Sequence, residues 1–184
     1  MTELETIACI TRVVLFSDER AFERIVRAYE QPLRQFLLHQ TDGNDDLTDD
    51  LAQETFIRAW QQLHSFRRAS QFQTWLFSIA YHLYMDDCRR RQAHPIVDIA
   101  LLAEEPNDDE DEDADENREQ WVHRALSRIP EPARTCLSLF YMHDMSAAEV
   151  AKITGLTENN VRQIIFRNKT KLKQLLITTQ DENQ

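Results

Sequence analysis

The chain has 184 residues, of which 42% are hydrophobic, and a formal net charge of −11. This length fits one domain of average size or two small ones, and the apolar fraction is sufficient for packed cores. Glycine is scarce, with 2 residues, and the Val/Ile/Thr alternation typical of strands is nearly absent, so we predict an all-α fold.

The first part of the chain contains four segments in which apolar residues recur at helical spacing. Helices are predicted over 10–16, from a cap near 17 to 37, from a cap near 45 to 63, and over 72–91. Ser17 or Asp18 is expected to cap the second helix, and Asp45 or Asp46 the third. Helical spacing places Trp60 on the buried face of the third helix.

An acidic block separates this part from the rest of the chain. Residues 104–119 contain 11 acids and one arginine, whereas residues 120–184 contain 9 Lys+Arg and 6 Asp+Glu. A run of like charges repels itself and has no apolar face, so we expect it to be disordered. The predicted organisation is two small helical domains, residues 1–95 and 120–178, a flexible acidic linker, residues 96–119, and a tail, residues 179–184.

The second domain shows a helix-turn-helix pattern. Helices over 121–129 and 133–141 are expected before a short helix, a turn with Gly155 and a long helix over 158–175. Ser146 and Glu149 match a capping box, in which each side chain accepts a backbone N–H of the other. The long helix is rich in Arg, Lys, Asn and Gln, which pair with base edges and phosphates in a major groove. The alternative is a helical hairpin with a solvated basic face.

Aromatic residues and arginines alternate in the stretch 49–91. This mixture suits unpaired nucleic acid, because rings stack on bases and guanidinium groups bind phosphates. Phe72, Trp75 and Tyr81 can instead belong to the core, and helical spacing places Trp75 at least half inside. Phe66 stands in a loop beside two arginines, where burial offers no explanation.

Cysteine spacing and apolar run lengths indicate the compartment. Cys9, Cys88 and Cys136 are far apart and match neither a zinc site nor a disulfide framework, so we predict a reduced, cytoplasmic protein. No apolar run approaches a membrane span. The apolar segment 7–16 contains Arg12 and follows acidic residues, whereas a signal peptide begins with positive charge.

The sequence contains no signature of catalysis. A nucleophile elbow, a Gly-rich phosphate loop and a zinc-protease motif are all absent, so we expect no enzyme activity, no cofactor and no metal site. Five histidines are expected to be ordinary surface or boundary residues: His39, His64, His94, His123 and His143.

In this order, the motifs resemble a bacterial RNA polymerase sigma factor of the extracytoplasmic-function (ECF) group of the sigma-70 family, over about residues 10–176. DDLAQETFIRAW resembles region 2.2, which docks on the clamp helices of the polymerase beta-prime subunit. FQTWLFSIAYHLYMDDCRRR resembles regions 2.3 and 2.4, where the promoter −10 element is melted and read. Residues 129–176 resemble region 4, whose helix-turn-helix reads the −35 element.

The resemblance implies roles for individual residues. Core polymerase is expected to contact Asp50, Gln53, Glu54 and Arg58. Unpaired −10 bases and their backbone are expected at Phe66, Arg67, Arg68, Ser70, Gln71, His82, Arg89, Arg90 and Arg91. The −35 duplex is expected at Asn159, Asn160, Arg162, Gln163, Arg167 and Lys169. Family members usually carry Asn where this chain has His82, which bears on the preferred −10 base.

The resemblance also implies the partners and the function. The chain is expected to be an alternative sigma factor that binds core RNA polymerase at the clamp helices and the beta flap, and reads promoter DNA. An anti-sigma factor is a further expected partner, with no direct membrane insertion. The alternatives are a helix-turn-helix regulator that acts without polymerase, and an adaptor or inhibitor whose acidic block mimics nucleic acid. The linker is either a polyanion that threads the polymerase channel or a solubilising spacer.

Overall fold

The computed structural model describes residues 1–66, 71–93 and 114–181. Within these ranges the chain forms eight α-helices and no strand, which confirms the all-α prediction. The helices are α1 (Glu3–Phe16), α2 (Glu19–Gln40), α3 (Asp45–Gln62), α4 (Phe72–Ala93), α5 (Ala114–Ser127), α6 (Ala133–Tyr141), α7 (Ala147–Thr154) and α8 (Glu158–Asp181). Most of the predicted linker, residues 96–113, lies outside the described residues.

Helix α1 begins well before its predicted start at Ile10. Thr2 is the N-cap: the Glu5 N–H donates to the Thr2 hydroxyl at 3.3 Å, and the Thr2 N–H donates to the Glu5 carboxylate at 2.8 Å. This capping box satisfies two backbone donors that the helix itself leaves free. The helix then buries Cys9, Ile10 and Val13 against the first domain.

Helices α2 and α3 also begin at side-chain caps. The Asp18 carboxylate accepts a backbone N–H at the start of α2 at 3.1 Å, which selects between the two predicted caps. Asn44 caps α3 by accepting the Leu47 N–H at 2.9 Å, so the predicted caps Asp45 and Asp46 are wrong. These two acids lie in the first turn instead, where negative charge is favourable near the positive end of the helix dipole.

The core of the first domain, formed by α1–α4, is built around two phenylalanines. Phe36 and Phe77 are fully buried, with ring centroids 5.2 Å apart. Their fully buried neighbours are Ile25, Leu33, Leu37, Leu63 and Leu76. Each side chain of this size contributes about 1.5–3 kcal/mol on burial, so this core fixes how α2, α3 and α4 are placed.

The Trp60 prediction is wrong, because this side chain is 37% exposed. Its inner neighbour Ala59 is fully buried, and successive helical residues point about 100° apart, so α3 turns the indole toward its edge. There the ring lies edge-on to Phe22, with centroids 5.0 Å apart. Trp60 is therefore part of a surface rather than of the core.

The second domain, formed by α5–α8, begins earlier than predicted. Helix α5 starts at Ala114, so the last six residues of the predicted linker, 114–119, are helical. This corrects the linker boundary. Acidic residues in a first turn are stabilised by the helix dipole, a favourable term that opposes the like-charge repulsion on which the prediction rested.

The helix-turn-helix is confirmed at α7 and α8. The Glu149 N–H donates to the Ser146 hydroxyl at 3.3 Å, and the Ser146 N–H donates to the Glu149 carboxylate at 2.9 Å, as the predicted capping box requires. Gly155 ends α7 at a φ of 72°, a left-handed conformation that glycine adopts without strain. The Asn160 N–H then donates to the Thr157 hydroxyl at 3.2 Å, which caps α8.

The two domains pack directly against each other. Helix α6 meets the C-terminal end of α2, and α7 lies along α4. The ring of His143 contacts Phe36 and Phe77, with centroids 6.0 and 5.0 Å away. The ring of His39 stacks on that of His123 at 5.9 Å. We call this contact between α2/α4 and α5/α6/α7 the interdomain interface.

The interdomain interface corrects the prediction that His39 is a surface or boundary residue, whereas His123 and His143 are half-buried, as boundary residues are. His39 is only 8% exposed. Burial lowers the pKa of His39 to about 3 and that of His143 to about 4, and it also lowers the pKa of His123. All three rings are therefore uncharged at neutral pH. Their burial arises from contacts between segments distant in sequence, which helical periodicity does not reveal.

Candidate nucleic-acid interface

The six residues predicted to read duplex DNA are all exposed on α8. They are Asn159, Asn160, Arg162, Gln163, Arg167 and Lys169. The opposite side of α8 buries Val161, Ile165 and Leu172, so packing of the apolar stripe turns the polar face outward. The helix-turn-helix thus presents one continuous polar and basic surface.

A local ion pair holds Arg162 in place on this surface. Its Nε and Nη2 donate to the Glu158 carboxylate one turn earlier, at 3.1 and 2.5 Å. Both side chains are largely exposed, and such pairs contribute only about 0–1 kcal/mol. A base edge or a phosphate can therefore replace Glu158 at low cost.

Phe166 is a member of this surface that the sequence analysis did not identify. Its side chain is 81% exposed, although burying a phenylalanine gains about 1.5–3 kcal/mol. It lies four residues after Arg162, three after Gln163 and three before Lys169, which places it on the same face of α8. That spacing was a usable signal, but apolar residues on an amphipathic helix are assigned to the core by default.

The first domain presents a different surface, a groove of about 630 Å³ between α2 and α3. Its apolar lining consists of Phe22, Val26, Ala52, Phe56, Ile57 and Trp60. Gln53, one of the predicted polymerase contacts, also lines the groove. Asp50 and Gln53 are exposed on α3, and Glu54 and Arg58 are half-buried. The four predicted contacts therefore lie on one helix, and Gln53 is the one among them that lines the apolar groove.

Ion pairs border this groove. Arg34 donates to Asp45 at 2.6 Å and to Asp49 at 2.7 Å, and these hydrogen bonds raise its pKa. Glu54 accepts from Arg58 at 2.8 Å, one turn along α3. Because the pairs are partly exposed, they contribute little to stability. The charged residues that line the groove itself are Glu30, Arg34 and Asp49, which give it a predominantly acidic rim.

The loop predicted to hold an unpaired base begins and ends at an aromatic cluster. The ring centroid of Phe66 lies 5.7 Å from that of Phe72 and 5.4 Å from that of Trp75, and the latter two are 5.5 Å apart. Trp75 is half-buried, in agreement with the prediction. The predicted contacts Arg67, Arg68 and Ser70 lie outside the described residues.

A pocket of about 380 Å³ opens beside Phe66. Its lining includes Phe66 and Gln71, both predicted −10 contacts, together with Tyr29. Helix α1 and the residues before it supply the rest of one wall, through Met1, Glu3, Thr6 and Ile7. The Thr6 and Tyr29 hydroxyls lie 3.2 Å apart. The sequence analysis missed the contribution of α1 because it placed the start of that helix at residue 10.

His82 is exposed on α4 with one ring nitrogen engaged. Its Nδ1 lies 2.5 Å from the carbonyl oxygen of Ser78. A carbonyl only accepts, so Nδ1 carries the proton and Nε2 of the neutral ring is an acceptor. His82 therefore offers an outward acceptor to a base with an amino group.

The three arginines at the end of α4 are exposed. Arg89 forms an ion pair with Asp86, and Arg91 forms one with Asp87 at 2.8 Å. These intrahelical pairs are weak in water and hold the guanidinium groups near the helix surface. The arrangement leaves a basic edge that can bind phosphates.

The described residues contain no group of three or more His, Cys, Asp or Glu side chains that could hold a metal ion. Across those same ranges, no helix combines the length and the apolar character needed to cross a membrane.

Comparison with known proteins identifies relatives of both domains. The family model of Sigma-70 region 2 matches residues 25–94, and that of Sigma-70, region 4 matches residues 119–172. The ECF RNA polymerase sigma-E factor of Salmonella typhimurium is 30% identical over 179 residues, which cover 91% of this chain and 92% of the relative. The ECF RNA polymerase sigma factor SigM of Bacillus subtilis is 27% identical over 154 residues, covering 83% and 93%.

Two solved structures share the fold over most of the chain. CnrH in complex with the cytosolic domain of CnrY matches with a TM-score of 0.66 and 23% identity, covering 96% of this chain and 97% of that one. The sigma factor RpoE in complex with the anti-sigma factor NepR, from Bartonella quintana, matches with a TM-score of 0.68 and 24% identity, covering 84% and 96%.

Proposed function

The chain belongs to the extracytoplasmic-function sigma factors of RNA polymerase, and from that premise we propose how its exposed surfaces divide promoter recognition. As a sigma factor it binds RNA polymerase and directs transcription initiation at promoters. Sigma factors are initiation factors, so RNA synthesis is carried out by polymerase. We propose that the chain itself has no catalytic activity and acts in the cytoplasm.

The second domain reads the −35 duplex through α8. The observation that carries this proposal is the exposed face formed by all six predicted contacts on the second helix of a helix-turn-helix. Arg162 and Gln163 lie near the start of α8, where such helices meet base edges, and they suit guanine and adenine. Lys169 lies farther along and suits a phosphate. Phe166 suits the C5-methyl group of a thymine.

The first domain binds core polymerase through α3. Asp50, Gln53, Glu54 and Arg58 supply polar contacts, and the neighbouring groove supplies apolar area at which Trp60 is an anchor. A partly exposed tryptophan beside a pocket is typical of residues that dominate binding energy in interfaces. The acidic rim suits a basic helical partner, such as the clamp helices of the beta-prime subunit. The beta flap is the proposed partner of the second domain.

The −10 element is held by the loop that follows Phe66 and by α4. The pocket lined by Phe66 and Gln71 supports capture of one unstacked base, because an aromatic wall offsets part of the unstacking cost. His82 contributes a hydrogen-bond acceptor that suits an amino group on the next base. Arg89, Arg90 and Arg91 follow the DNA backbone, and Arg67, Arg68 and Ser70 belong to the loop that captures the base.

An anti-sigma factor is the proposed regulator. One solved neighbour of this fold is bound to such a protein. This chain offers exposed apolar area at the α2–α3 groove, which an inhibitor that competes with polymerase would cover.

In vitro transcription tests the proposed function. Purified protein and core RNA polymerase are incubated with a library of genomic fragments, and the run-off transcripts are sequenced. We expect transcripts that start downstream of a shared two-part motif and that require both proteins. Absence of such transcripts with active core polymerase would overturn the proposal. Specific duplex binding by the free chain, without transcripts, would instead support a polymerase-independent regulator.

A further inference from the structure

The pocket beside Phe66 has a polar wall that lies outside the proposed −10 contacts. Its volume of about 380 Å³ falls within the range of sites for small ligands, about 300–1,000 Å³. Thr6 and Glu3 of α1 line it, together with Tyr29 of α2. Thr6 is only 1% exposed, and Tyr29 is half-buried. The match to Sigma-70 region 2 begins at residue 25, so the α1 part of the wall precedes it.

Aromatic packing holds the Tyr29 side chain in place. Its ring lies edge-on to that of Phe72, with centroids 5.2 Å apart. Phe72 is 5% exposed and contacts Phe66 in turn, at 5.7 Å. The Tyr29 hydroxyl is held at its far end by Thr6, with the two oxygens 3.2 Å apart. The position of this hydroxyl is therefore set before a ligand enters, which lowers the entropic cost of binding.

A short hydrogen-bond chain fixes the direction of the Tyr29 proton. The Thr6 hydroxyl donates to the carbonyl oxygen of Thr2, at 3.0 Å, one turn earlier in α1. A hydroxyl has one proton and a carbonyl only accepts, so the Thr6 oxygen is left to accept from Tyr29. The Tyr29 hydroxyl therefore donates to Thr6, and toward the pocket it retains an acceptor lone pair.

The wall consequently offers acceptors to the edge of a base. Tyr29 presents its lone pair, and the carboxylate of Glu3 only accepts. Gln71 and Gln73 also line the pocket, but an amide can turn either a donor or an acceptor toward a base and so adapts to both. Adenine and cytosine carry an exocyclic amino group that donates, whereas guanine and thymine have a carbonyl oxygen at the corresponding position. A carbonyl oxygen facing these acceptors is unfavourable.

We propose that Tyr29, with its hydroxyl proton held by Thr6, is a specificity-determining residue of this pocket and selects a captured base with an exocyclic amino group, adenine or cytosine. Thr6 is a positioning residue, because it acts through Tyr29. The inference rests on the proposed capture of one unpaired −10 base at this pocket. It gives α1 a part in base selection, although α1 precedes the matched region 2.

Base analogues test the proposal with the wild-type chain. Holoenzyme, assembled from the full chain and core polymerase, is bound to the strongest promoter fragment from the genomic library, with its −10 segment unpaired. An abasic site is placed at each −10 position of the non-template strand in turn, and the position with the largest loss of affinity identifies the captured base.

We expect the captured base to be adenine or cytosine. Its replacement by the analogue without the amino group, purine for adenine or 2-pyrimidinone for cytosine, should weaken binding roughly fivefold, as the loss of one hydrogen bond does. Thymine at the same position should bind more weakly than either analogue, because its carbonyl oxygen faces the acceptors of the wall.

Two variants separate the roles of the hydroxyl groups. Tyr29→Phe keeps the ring and removes the hydroxyl, so it should bind the amino base and its analogue equally. Thr6→Val keeps the branched shape but removes the acceptor of the Tyr29 proton, which then points into the pocket as a donor. Affinity for thymine relative to the amino base should rise roughly fivefold in this variant. Tyr141→Phe is the matched control: this half-buried tyrosine lies in the second domain, so the wild-type preference should persist.

The outcomes distinguish this inference from the proposed function. Equal wild-type affinity for the amino base and its analogue, at a position where an abasic site weakens binding, would overturn the inference and leave base capture intact. Variants that weaken binding of all bases alike, with the preference unchanged, would show a merely structural role for Thr6 and Tyr29 and would also overturn it. If no abasic position weakened binding, base capture at this pocket would itself be wrong.

Discussion

Helices α3 and α8 are both amphipathic and both face solvent, yet they present opposite chemistry. Helix α3 carries five acids and one arginine beside an apolar groove, whereas α8 carries five basic residues and two acids around one exposed phenylalanine. The acidic face repels the DNA backbone, and the basic face attracts it. The comparison shows that the two surfaces are specialised for different macromolecules, although the net charge of −11 describes neither.

The largest effect is expected from removing the arginines of α8. Arg162→Ala combined with Arg167→Ala should weaken binding to the −35 duplex by about 100-fold, since each specific pairing is worth about 1–3 kcal/mol. Fluorescence anisotropy of the chain on the duplex, with and without base changes, measures the loss. Lys173→Ala is the control: it should weaken all sequences alike and reduce the salt slope by about 1. Equal losses on cognate and unrelated duplexes would remove the base-reading role of the two arginines.

A smaller but still large effect is expected at α3, the acidic helix. Trp60→Ala should weaken binding to core polymerase by about 30-fold, because truncation of a central aromatic anchor costs about 2 kcal/mol or more. Binding of the −35 duplex should not change. Phe16→Ala offers a matched control, because Phe16 is an exposed aromatic residue on α1, at 76%, outside the groove. Equal loss of polymerase binding in both variants would contradict the assignment of the groove.

Acidification should destabilise the folded chain through the interdomain interface, to which both domains contribute. His39 and His143 have lowered pKa values in the folded chain, about 3 and about 4, against 6.5 when unfolded. The unfolded chain therefore binds more protons below pH 6.5, so stability is full above that pH and is lost as the pH falls. Burial raises the pKa of Glu131, and this raised pKa opposes the loss.

At about pH 5.5, each of the two histidines lowers the free energy of unfolding by roughly 1 kcal/mol. Together they lower the Tm by about 5 °C relative to about pH 7.5. Differential scanning calorimetry measures the shift. His39→Gln should reduce the pH dependence, because it removes the buried titratable ring. A Tm that is constant across this range would show that the rings are not buried in solution.

The smallest effect is expected at Phe166. Phe166→Ala should weaken −35 binding by about fivefold on the cognate duplex, through loss of one apolar contact worth about 1 kcal/mol. Replacement of the contacted thymine by uracil, which lacks the methyl group, should produce the same loss and should not add to it. Additive losses would mean that the ring contacts something other than that methyl group. Because the ring is exposed, the Tm of the variant should stay within about 2 °C of the wild type.

Local signals in the sequence predicted much of the fold. The capping box at Ser146 and Glu149 and the cap at Asp18 were readable because capping depends on residues three positions apart. Apolar periodicity located α2, α4 and α8 for the same reason. The sequence predicted that the polar residues of α8 face outward. Their exposure follows because Val161 and Ile165 are buried on the opposite side of the helix.

Features that depend on distant segments were not predicted. Trp60 is apolar and directly follows the buried Ala59, so periodicity along α3 suggests that it is buried too. Its exposure depends instead on where α2 packs against α3. Arg134 donates to the carbonyl oxygen of His39, 95 residues away, and no pattern along the chain links them. The α1 wall of the pocket at Phe66 was missed because the capping signal of Thr2 and Glu5 precedes the apolar run on which the prediction relied.

Gly43 extends these observations to divergence among relatives. Gly43 has a φ of 83°, in the left-handed region, and a Cβ atom built on it would lie 2.9 Å from Nε2 of His123. A side chain at this position would therefore strain the backbone and clash with that ring. Any drift away from glycine therefore acts as a wedge between the domains, with no change at a surface that touches DNA or polymerase. An aligned set of relatives should show residue 43 varying together with residues 123 and 134.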